Sequence, residues 1–387
     1  MKNIAVFGST GSIGTQALSV AAFHKDEFSV KVIAANRNID LVEKQIDEFS
    51  PEVVGIYDEA AAAELKKRRP SCEIVSGDEV NELCALSVID TVVNGVSGFS
   101  GLFPLLSALK AGKTVALANK ESIVCAHKIV NAALENCGGR ILPVDSEQSA
   151  LFQCLSAGRR EDVKSLILTA SGGMFRDFTE RQLEGVTPEM ALHHPTWSMG
   201  KKITIDSSSL FNKGLEVMEA GWLFDFSPDD IRIFIHPQSI VHSMVEYADG
   251  SVIAQLAKPD MRLAIQYALT YPARLPSQLG GVSPALLSGL TFFEPDTARF
   301  PAVELAYTAF RDGNSLPIAY NSANEVAVDR FIQGELGFTE IAECVRYAME
   351  RIERMEVAST DEVLYLDGEA RRLACEFARS RTIELSR

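Results

Sequence analysis

The sequence predicts an α/β protein, with a doubly wound parallel sheet first, an α+β region in the middle and a helical bundle at the end. Three observations carry that prediction. Ile4-Ala5-Val6-Phe7 is a short apolar run followed by the glycine turn Gly8-Ser9-Thr10-Gly11-Ser12-Ile13-Gly14 and then an amphipathic stretch. The character changes at Pro143-Val144-Asp145-Ser146-Glu147, after which polar loops interrupt the regular alternation. Beyond residue 301 the pattern is helical, with a heptad-like tail to Ser386.

Strand, glycine turn and helix, the last expected from about Thr15 to Phe23, form a Rossmann-like dinucleotide-binding arrangement. The glycines let the backbone approach a pyrophosphate, which rests on the helix N-terminus. The spacing is GxxGxxG and not the commoner GxGxxG. The next strand, Val30 to Ala35, ends in Asn36-Arg37-Asn38, with no acid there to accept from a ribose hydroxyl. A guanidinium between two amides suits a 2′-phosphate, so NADP is favoured over NAD.

Further strands are expected at Val53–Tyr57, Glu73–Val75, Thr91–Asn94 and Thr114–Leu117, with helices between them. Ligands of such sheets bind beyond the strand carboxyl ends, which directs Asn119, Lys120 and Glu121 toward the nicotinamide end of the crevice. An asparagine N-cap followed by a first-turn acid reads the same residues structurally. The run Lys66-Lys67-Arg68-Arg69 reads as the solvated end of a helix stopped by Pro70.

Ile141-Leu142-Pro143-Val144 has β character, so Asp145 and Glu147 stand near a strand end. In an extended chain residues i and i+2 project to one side, and two carboxylates sharing a space call for a hard divalent cation. The competing reading is a solvated acidic turn, or Asp145 capping a helix that begins near Gln148. Farther on, Ser165–Thr169 is a strand ending in Ala170-Ser171-Gly172-Gly173, a small anion nest. His193 to Lys201, with Trp197 and Met199, reads as a candidate lid or as a loop with a structural tryptophan beneath it. Asp206 to Glu216 leads into a helix running through Phe224; Ser207, Asn212 and Lys213 supply hydroxyl, amide and ammonium donors suited to phosphate. Glu216, one turn on, completes a set of three metal-type carboxylates with Asp145 and Glu147. Antiparallel strands are expected from Ile231 to Leu256, and His236 and His242 among them read as structural. Residues 271–301 read as a surface linker, and the helical remainder, Asn321-Ser322-Ala323-Asn324-Glu325 included, shows no concentrated chemistry.

Composition narrows the function. The 387 residues are 47% hydrophobic and 23% charged, as in globular enzymes, and no apolar run suffices to cross a bilayer. A net charge of −15 disfavours nucleic acid and anionic membranes as partners. An anionic substrate must then be held by a local pocket of donors. Seven scattered cysteines without a CxxC suggest reduced thiols, and Met1-Lys2-Asn3 runs straight into a strand, so cytoplasmic residence without a leader is expected.

GSTGSIG, LANKES, PVDSE, SGG with a following F-R, HPTWSMGKKI with DS, NKGLE, IHPQS, PDMR and NSANE follow one another across nearly the whole chain. In this combination the sequence resembles the 1-deoxy-D-xylulose-5-phosphate reductoisomerase family. The resemblance implies NADPH- and divalent-metal-dependent rearrangement and reduction of 1-deoxy-D-xylulose 5-phosphate to 2-C-methyl-D-erythritol 4-phosphate, an isoprenoid precursor. The metal would be Mg²⁺ or Mn²⁺, with Co²⁺ an alternative, and the assembly a homodimer. It further implies an NADPH-binding domain over 1–143, a catalytic and dimerisation domain over 144–270, a linker over 271–301 and a helical domain over 302–387.

Position by position, the resemblance makes Asp145, Glu147 and Glu216 metal ligands. Ser171, Ser207, Asn212 and Lys213 become the grip on the substrate phosphate, with His194 nearby; the lid reading, separately, lays Trp197 against the sugar carbons. Lys120 and Ser146 touch substrate hydroxyls. Thr10, Gly11, Ser12, Ile13, Asn36, Arg37, Asn38, Asn119, Glu121 and Gly200 line the cofactor; Asn36 stands where many relatives carry a small residue. The rival reading is a simple NADP-dependent semialdehyde or hydroxy-acid dehydrogenase, which shares the first domain and has no use for three metal-type carboxylates beside a phosphate pocket.

Overall fold

A computed structural model describes residues 1–192 and 200–385, and the chain forms two compact units. The first comprises residues 1–122, 129–149 and 260–280. Its strands are β1 (Lys2–Phe7), β2 (Phe28–Ala35), β3 (Val53–Ile56), β4 (Glu73–Ser76), β5 (Thr91–Asn94), β6 (Thr114–Leu117) and β7 (Arg140–Pro143). All pair in parallel, in the order β4-β3-β2-β1-β5-β6-β7. Such strands are covered on both faces, which is why the runs IAVF and VVGI are wholly apolar. The order reverses between β1 and β5, the switch point where doubly wound sheets open a crevice for ligands.

Helices α1 (Ser12–Phe23), α2 (Ile39–Phe49), α3 (Glu59–Arg68), α4 (Leu102–Lys110) and α5 (Lys120–Cys137) connect these strands, and α6 (Ser146–Leu155) follows β7. Helix α1 begins three residues earlier than its periodicity predicts, because the glycine turn itself supplies the first helical turn. The basic run at the end of α3 is not simply solvated. Arg68 binds Asp40, Glu43 and Glu64, and Arg69 binds Glu43 and Asp47, tying α3 to α2.

The second unit comprises residues 123–128, 150–259 and 281–387. Its helices α7 (Glu180–Glu184), α8 (Pro188–Ala191), α9 (Lys201–Ser209) and α10 (Phe211–Phe224) accompany β8 (Val163–Ala170), β9 (Ile231–Ile235), β10 (Val241–Tyr247) and β11 (Val252–Leu256). The sheet order is β11-β10-β8-β9, and β9 runs parallel to β8, so the sheet is mixed and not wholly antiparallel as expected. The pairing partner of β9 is β8, far off in sequence, and hairpin patterning carries no information about it. Helix α9 was not expected. Its sequence KKITIDSSS has weak helix propensity, but the Thr204, Ser208 and Ser209 hydroxyls bond back to carbonyls four residues earlier, so their burial leaves no orphan hydroxyl.

Helix α11 (Met261–Thr270) belongs to the first unit, where it packs on α1. Its Gln266 meets His24 at 3.1 Å, and Lys2 donates to the Leu269 carbonyl at 2.6 Å. Residues 281–301 in the second unit carry the short α12 (Pro284–Leu287) and a bridge from Phe293 to Ile235. Helices α13 (Ala302–Asp312), α14 (Ser315–Ile332), α15 (Glu340–Arg351) and α16 (Thr360–Leu385) form the C-terminal bundle, with α14 against α13, α15 and α16.

Candidate active site

In the first unit, the glycine turn is shaped by close approaches. Gly8 has φ +75°, and a Cβ there would come 2.5 Å from the Gly95 carbonyl oxygen. A Cβ on Gly14 would lie 2.5 Å from the Ser9 Cα, so α1 can leave the turn only because the residue is glycine. Gly11 caps α1 without a side-chain hydrogen bond, and the first turn carries no acid. The Gly11 amide itself closes the turn onto the Gly8 carbonyl at 2.9 Å, while the first amides of α1, from Ser12 on, have no side-chain cap, as suits a helix N-terminus that receives a pyrophosphate. At the end of β2, Asn36, Arg37 and Asn38 are all exposed. The Asn38 side chain caps α2 through the Leu41 amide at 3.3 Å. Arg37 lies 3.5 Å from Asp58, a loose pair, and Asp58 in turn caps α3 through the Ala61 amide. An exposed guanidinium with a single distant carboxylate can turn toward an incoming phosphate.

Asn119 has a different employment. Its Oδ1 accepts from the Ser122 amide, and its Nδ2 donates to the Val96 and Gly98 carbonyls at 2.8 and 2.7 Å and to Glu121 at 3.1 Å. Those bonds pin the start of α5 to the loop after β5, so Asn119 acts on this site through the backbone. Lys120, the first residue of α5, is 5% exposed, and its ammonium donates to the Asp145 carboxylate.

Asp145 does stand beyond the end of β7, but Glu147 does not share an extended strand with it. The helix α6 starts at Ser146, where the Asp145 carboxylate accepts from the Ser146 amide at 3.0 Å, and Glu147 lies in the first turn. Capping and ligand readings of Asp145 are thus compatible, because the carboxylate that starts the helix has a second oxygen toward Lys120. The Ser146 hydroxyl donates to Glu147. Lys120, Asp145, Ser146 and Glu147 come together as one cluster of oxygen donors with a single ammonium.

In the second unit, Ser171 follows β8 and its hydroxyl accepts from the Gly173 amide at 3.3 Å. Gly172 and Gly173 have φ +82° and +68°, and a Cβ on Gly173 would meet the Ser208 Cα at 2.6 Å and the Ser207 carbonyl oxygen at 2.8 Å. This packing sets the Ser171 loop directly against the end of α9. Leu210, with φ 65°, then turns the chain into α10, whose first turn holds Asn212 and Lys213 and has neither a side-chain cap nor an acid. Serine hydroxyls, an amide and an ammonium thus stand on adjoining segments, a set of donors whose chemistry suits an anion. Lys213 and Glu216 are 3% and 1% exposed; Asn212 and Lys213 both donate to the Glu216 carboxylate.

His236 is structural, as expected. Its Nδ1 meets the Thr291 carbonyl at 2.9 Å and its Nε2 accepts from the Ile240 and Val241 amides at 3.1 and 3.2 Å. His242 is buried beside Lys213 and His236, and burial first of all pulls it down to about 4, so it is neutral at physiological pH. Gly200 is exposed and caps α9, accepting from Thr204. His194 and Trp197, with residues 193–199 of the candidate lid, lie outside the described residues, and Lys201 at its end begins α9.

Family models decide the relationship. The model for 1-deoxy-D-xylulose 5-phosphate reductoisomerase matches residues 4–127, its C-terminal domain model matches 141–224, and a further reductoisomerase C-terminal model matches 256–373. The chain belongs to the 1-deoxy-D-xylulose 5-phosphate reductoisomerase family. The reductoisomerase of Geotalea uraniireducens is 49% identical over 372 residues, covering 95% of this chain and 96% of that one. That of Protochlamydia amoebophila is 46% identical, covering 99% of both. Among solved reductoisomerase structures, one in complex with NADPH, fosmidomycin and magnesium superposes with a TM-score of 0.92 at 35% identity over 98% of each chain. The Zymomonas mobilis reductoisomerase in complex with NADPH gives 0.92 at 37% identity, covering 98% of this chain and 99% of that one.

Two buried polar residues were given no role by the sequence. Asp206 and Asn324 are buried, 1% and 0% exposed, and Asn324 donates to Asp206 at 2.8 Å. The only signal, at Asn324, was a polar run inside an otherwise apolar helix pattern.

Proposed function

We propose that this chain converts 1-deoxy-D-xylulose 5-phosphate into 2-C-methyl-D-erythritol 4-phosphate with NADPH and a divalent cation, and that the residues described above carry out the reaction. One observation carries the assignment of roles. Asn212, Lys213 and Glu216 share the first turns of α10, so phosphate donors and a metal-type carboxylate are interleaved on one helix. A simple dehydrogenase has no need of that combination.

Asp145, Glu147 and Glu216 each offer a carboxylate oxygen, two from half-buried side chains and one from a buried one. By the family resemblance they would hold a hard cation such as Mg²⁺ or Mn²⁺, with Co²⁺ an alternative, and three carboxylates are the ligand chemistry such a cation takes. When bound, the cation polarises the substrate's ketone and neighbouring hydroxyl, and NADPH supplies the hydride. Ser171, Ser207, Asn212 and Lys213 hold the phosphate, and this fixed grip keeps the two fragments of the rearranging sugar together. Ser146 and Lys120 orient the substrate hydroxyls, with the Lys120 ammonium donating to Asp145. Thr10, Gly11, Ser12 and Ile13 seat the pyrophosphate, Arg37 with Asn36 and Asn38 takes the 2′-phosphate, and Glu121 and Gly200 flank the cofactor, with Asn119 shaping the loop beside it. His194 enters on the family resemblance alone, and Trp197 on the lid reading of the sequence.

The same reading divides the chain functionally into an NADPH-binding part (1–143), a catalytic and dimerisation part (144–270), a linker (271–301) and a helical part (302–387), in a cytoplasmic homodimer. The edge strand β11 leaves Val252 and Ile253 49% and 39% exposed, an apolar edge that a second copy would cover. No helix among the described residues is long and apolar enough to cross a membrane. The deciding experiment incubates the protein with NADPH, Mg²⁺ and 1-deoxy-D-xylulose 5-phosphate, follows nicotinamide absorbance and identifies the product by mass and NMR. A branched product is expected; an unbranched polyol would overturn the proposal.

A further inference from the structure

Helices α9 and α10 meet at Leu210, whose φ of 65° and ψ of 10° place a large side chain in the left-handed region. Leucine is disfavoured there, and such a conformation persists only where the surroundings over-determine it. Nothing in the local sequence demands the turn. The surroundings that impose it come from one face of α14.

Asn324 Nδ2 donates to Asp206 Oδ1 at 2.8 Å, while the other Asp206 oxygen pairs with Lys202 at 2.6 Å. The Asn324 side-chain oxygen is buried with no hydrogen-bond donor among the described residues. An apolar residue would pack there without that cost, so the amide is there for its donor. One turn earlier on α14, the Tyr320 hydroxyl lies 3.3 Å from the Phe211 carbonyl oxygen and 3.2 Å from that of Ala302. Its ring occupies the space left by Gly214, where a Cβ would come 2.9 Å from Tyr320 Cζ and 2.8 Å from the Ala306 Cβ. Behind this face α14 is tied to α16: Ser322 donates to Asp367 at 2.6 Å, and Arg371 bridges Asp367 and Glu325.

Two of these contacts, at Asp206 and Phe211, fall on the residue just before a phosphate-holding one. Asp206 precedes Ser207, and Phe211 precedes Asn212. We propose that Asn324 and Tyr320 are positioning residues: they clamp the two sides of the Leu210 junction and so set the register of the Ser207 hydroxyl, the Asn212 amide and the Lys213 ammonium around the substrate phosphate. The proposal rests on the reading that Ser207, Asn212 and Lys213 hold that phosphate. It gives the C-terminal bundle a part in substrate affinity although it supplies no group to the substrate.

The test uses the full chain with Asn324→Leu, Asp206→Asn, the exchange Asp206→Asn/Asn324→Asp, and Ser207→Ala as a reference for the phosphate reading. KM and kcat for 1-deoxy-D-xylulose 5-phosphate, Kd for NADPH and Tm are measured for each. Asn324→Leu is expected to raise KM about tenfold or more, since it leaves a buried carboxylate short of a donor. NADPH affinity should stay within about twofold. The exchange should recover most of the KM loss, because an amide again faces a carboxylate, which a general loss of stability would not allow. Unchanged KM, parallel losses of NADPH and substrate affinity, or an exchange no better than the single variants would overturn the proposal. If Asn324→Leu does not fold, Tyr320→Phe removes one hydroxyl only; a KM raised a few-fold at unchanged kcat supports the clamp, and an unaltered KM refutes it. Should Asn324→Leu raise KM while Ser207→Ala does not, the clamp stands and the Ser207 assignment falls. The reverse pattern removes the clamp and leaves the phosphate grip intact.

Discussion

Lys120 donates to the Asp145 carboxylate, and the two residues stand just beyond the carboxyl ends of neighbouring parallel strands, β6 and β7. The sheet register thus delivers an ammonium and a metal-type carboxylate to one place from positions 25 apart in sequence. Both side chains are largely shielded, at 6% and 15% exposure, so breaking the pair disturbs charges that water reaches poorly.

Removing the ammonium alone should therefore destabilise the protein. Lys120→Met is expected to cost about 2–3 kcal/mol in urea unfolding, below the usual range for a fully buried pair because Asp145 keeps some solvent. Millimolar Mg²⁺ should restore part of that loss by offering Asp145 another cation. Equal midpoints for Lys120→Met and the parent protein without metal would show that the pair contributes nothing.

Replacing Asp145, Glu147 or Glu216 by its amide should abolish turnover, because an amide cannot neutralise a divalent cation. Excess chelator should do the same to the parent protein, reversibly. NADPH binding should survive in every case, since the glycine turn and the β2 end contain none of these residues. Full activity of Glu216→Gln at ordinary magnesium would remove that residue from the metal site.

Arg37→Ala should weaken NADPH binding by about 1–2 kcal/mol, roughly five- to thirtyfold. The lower part of the range for a charged hydrogen bond applies because the Arg37 side chain is 75% exposed and already shares a loose contact with Asp58. NADH, which lacks the 2′-phosphate, should be bound as before. Titrations of both cofactors by fluorescence decide it, and an equal loss for each would mean that Arg37 acts through the fold.

Acid sensitivity follows from two imidazoles. Burial, the main cause in both, brings His127 and His242 down to about 4, with Lys128 adding to it at His127 and His236 and Lys213 at His242. His127 also stacks on Trp222, ring centroids 4.1 Å apart and planes at 3°. An unfolded histidine titrates near 6.5, so between there and pH 4 the unfolded state binds more protons. Stability should then fall as pH drops through that window and level off below it, by on the order of 3 kcal/mol for the well-buried His242. Urea midpoints at pH 7.5 and pH 5 measure the slope. His242→Gln should flatten it, and an unchanged slope would assign the sensitivity elsewhere.

The first unit was legible almost strand by strand, because a parallel sheet writes itself into local sequence as short apolar runs separated by helical stretches. The glycine turn was legible for the same reason: Gly8 and Gly14 answer steric demands made within a few residues of themselves and by the adjacent β5 loop. The carboxylates Asp145, Glu147 and Glu216 and the donors Ser207, Asn212 and Lys213 could be named from side-chain chemistry. Their settings were less accessible. Glu147 was placed on an extended strand, yet Asp145 starts a helix two residues before it, since one carboxylate oxygen can cap α6 while the other faces Lys120.

Tertiary structure alone decided what depends on partners distant in the chain. The parallel pairing of β9 with β8 joins residues more than sixty apart, and no turn signal encodes it. Helix α9 forms against its own weak propensity because its hydroxyls find carbonyls once buried. Asn324 and Asp206 meet across 118 residues, and neither has a local pattern that announces the other. Composition and period determine which segments can be buried and which side chains can carry charge or donate hydrogen bonds. Which of those groups share a space is decided when the apolar faces close, because only then does each buried polar atom need a particular partner.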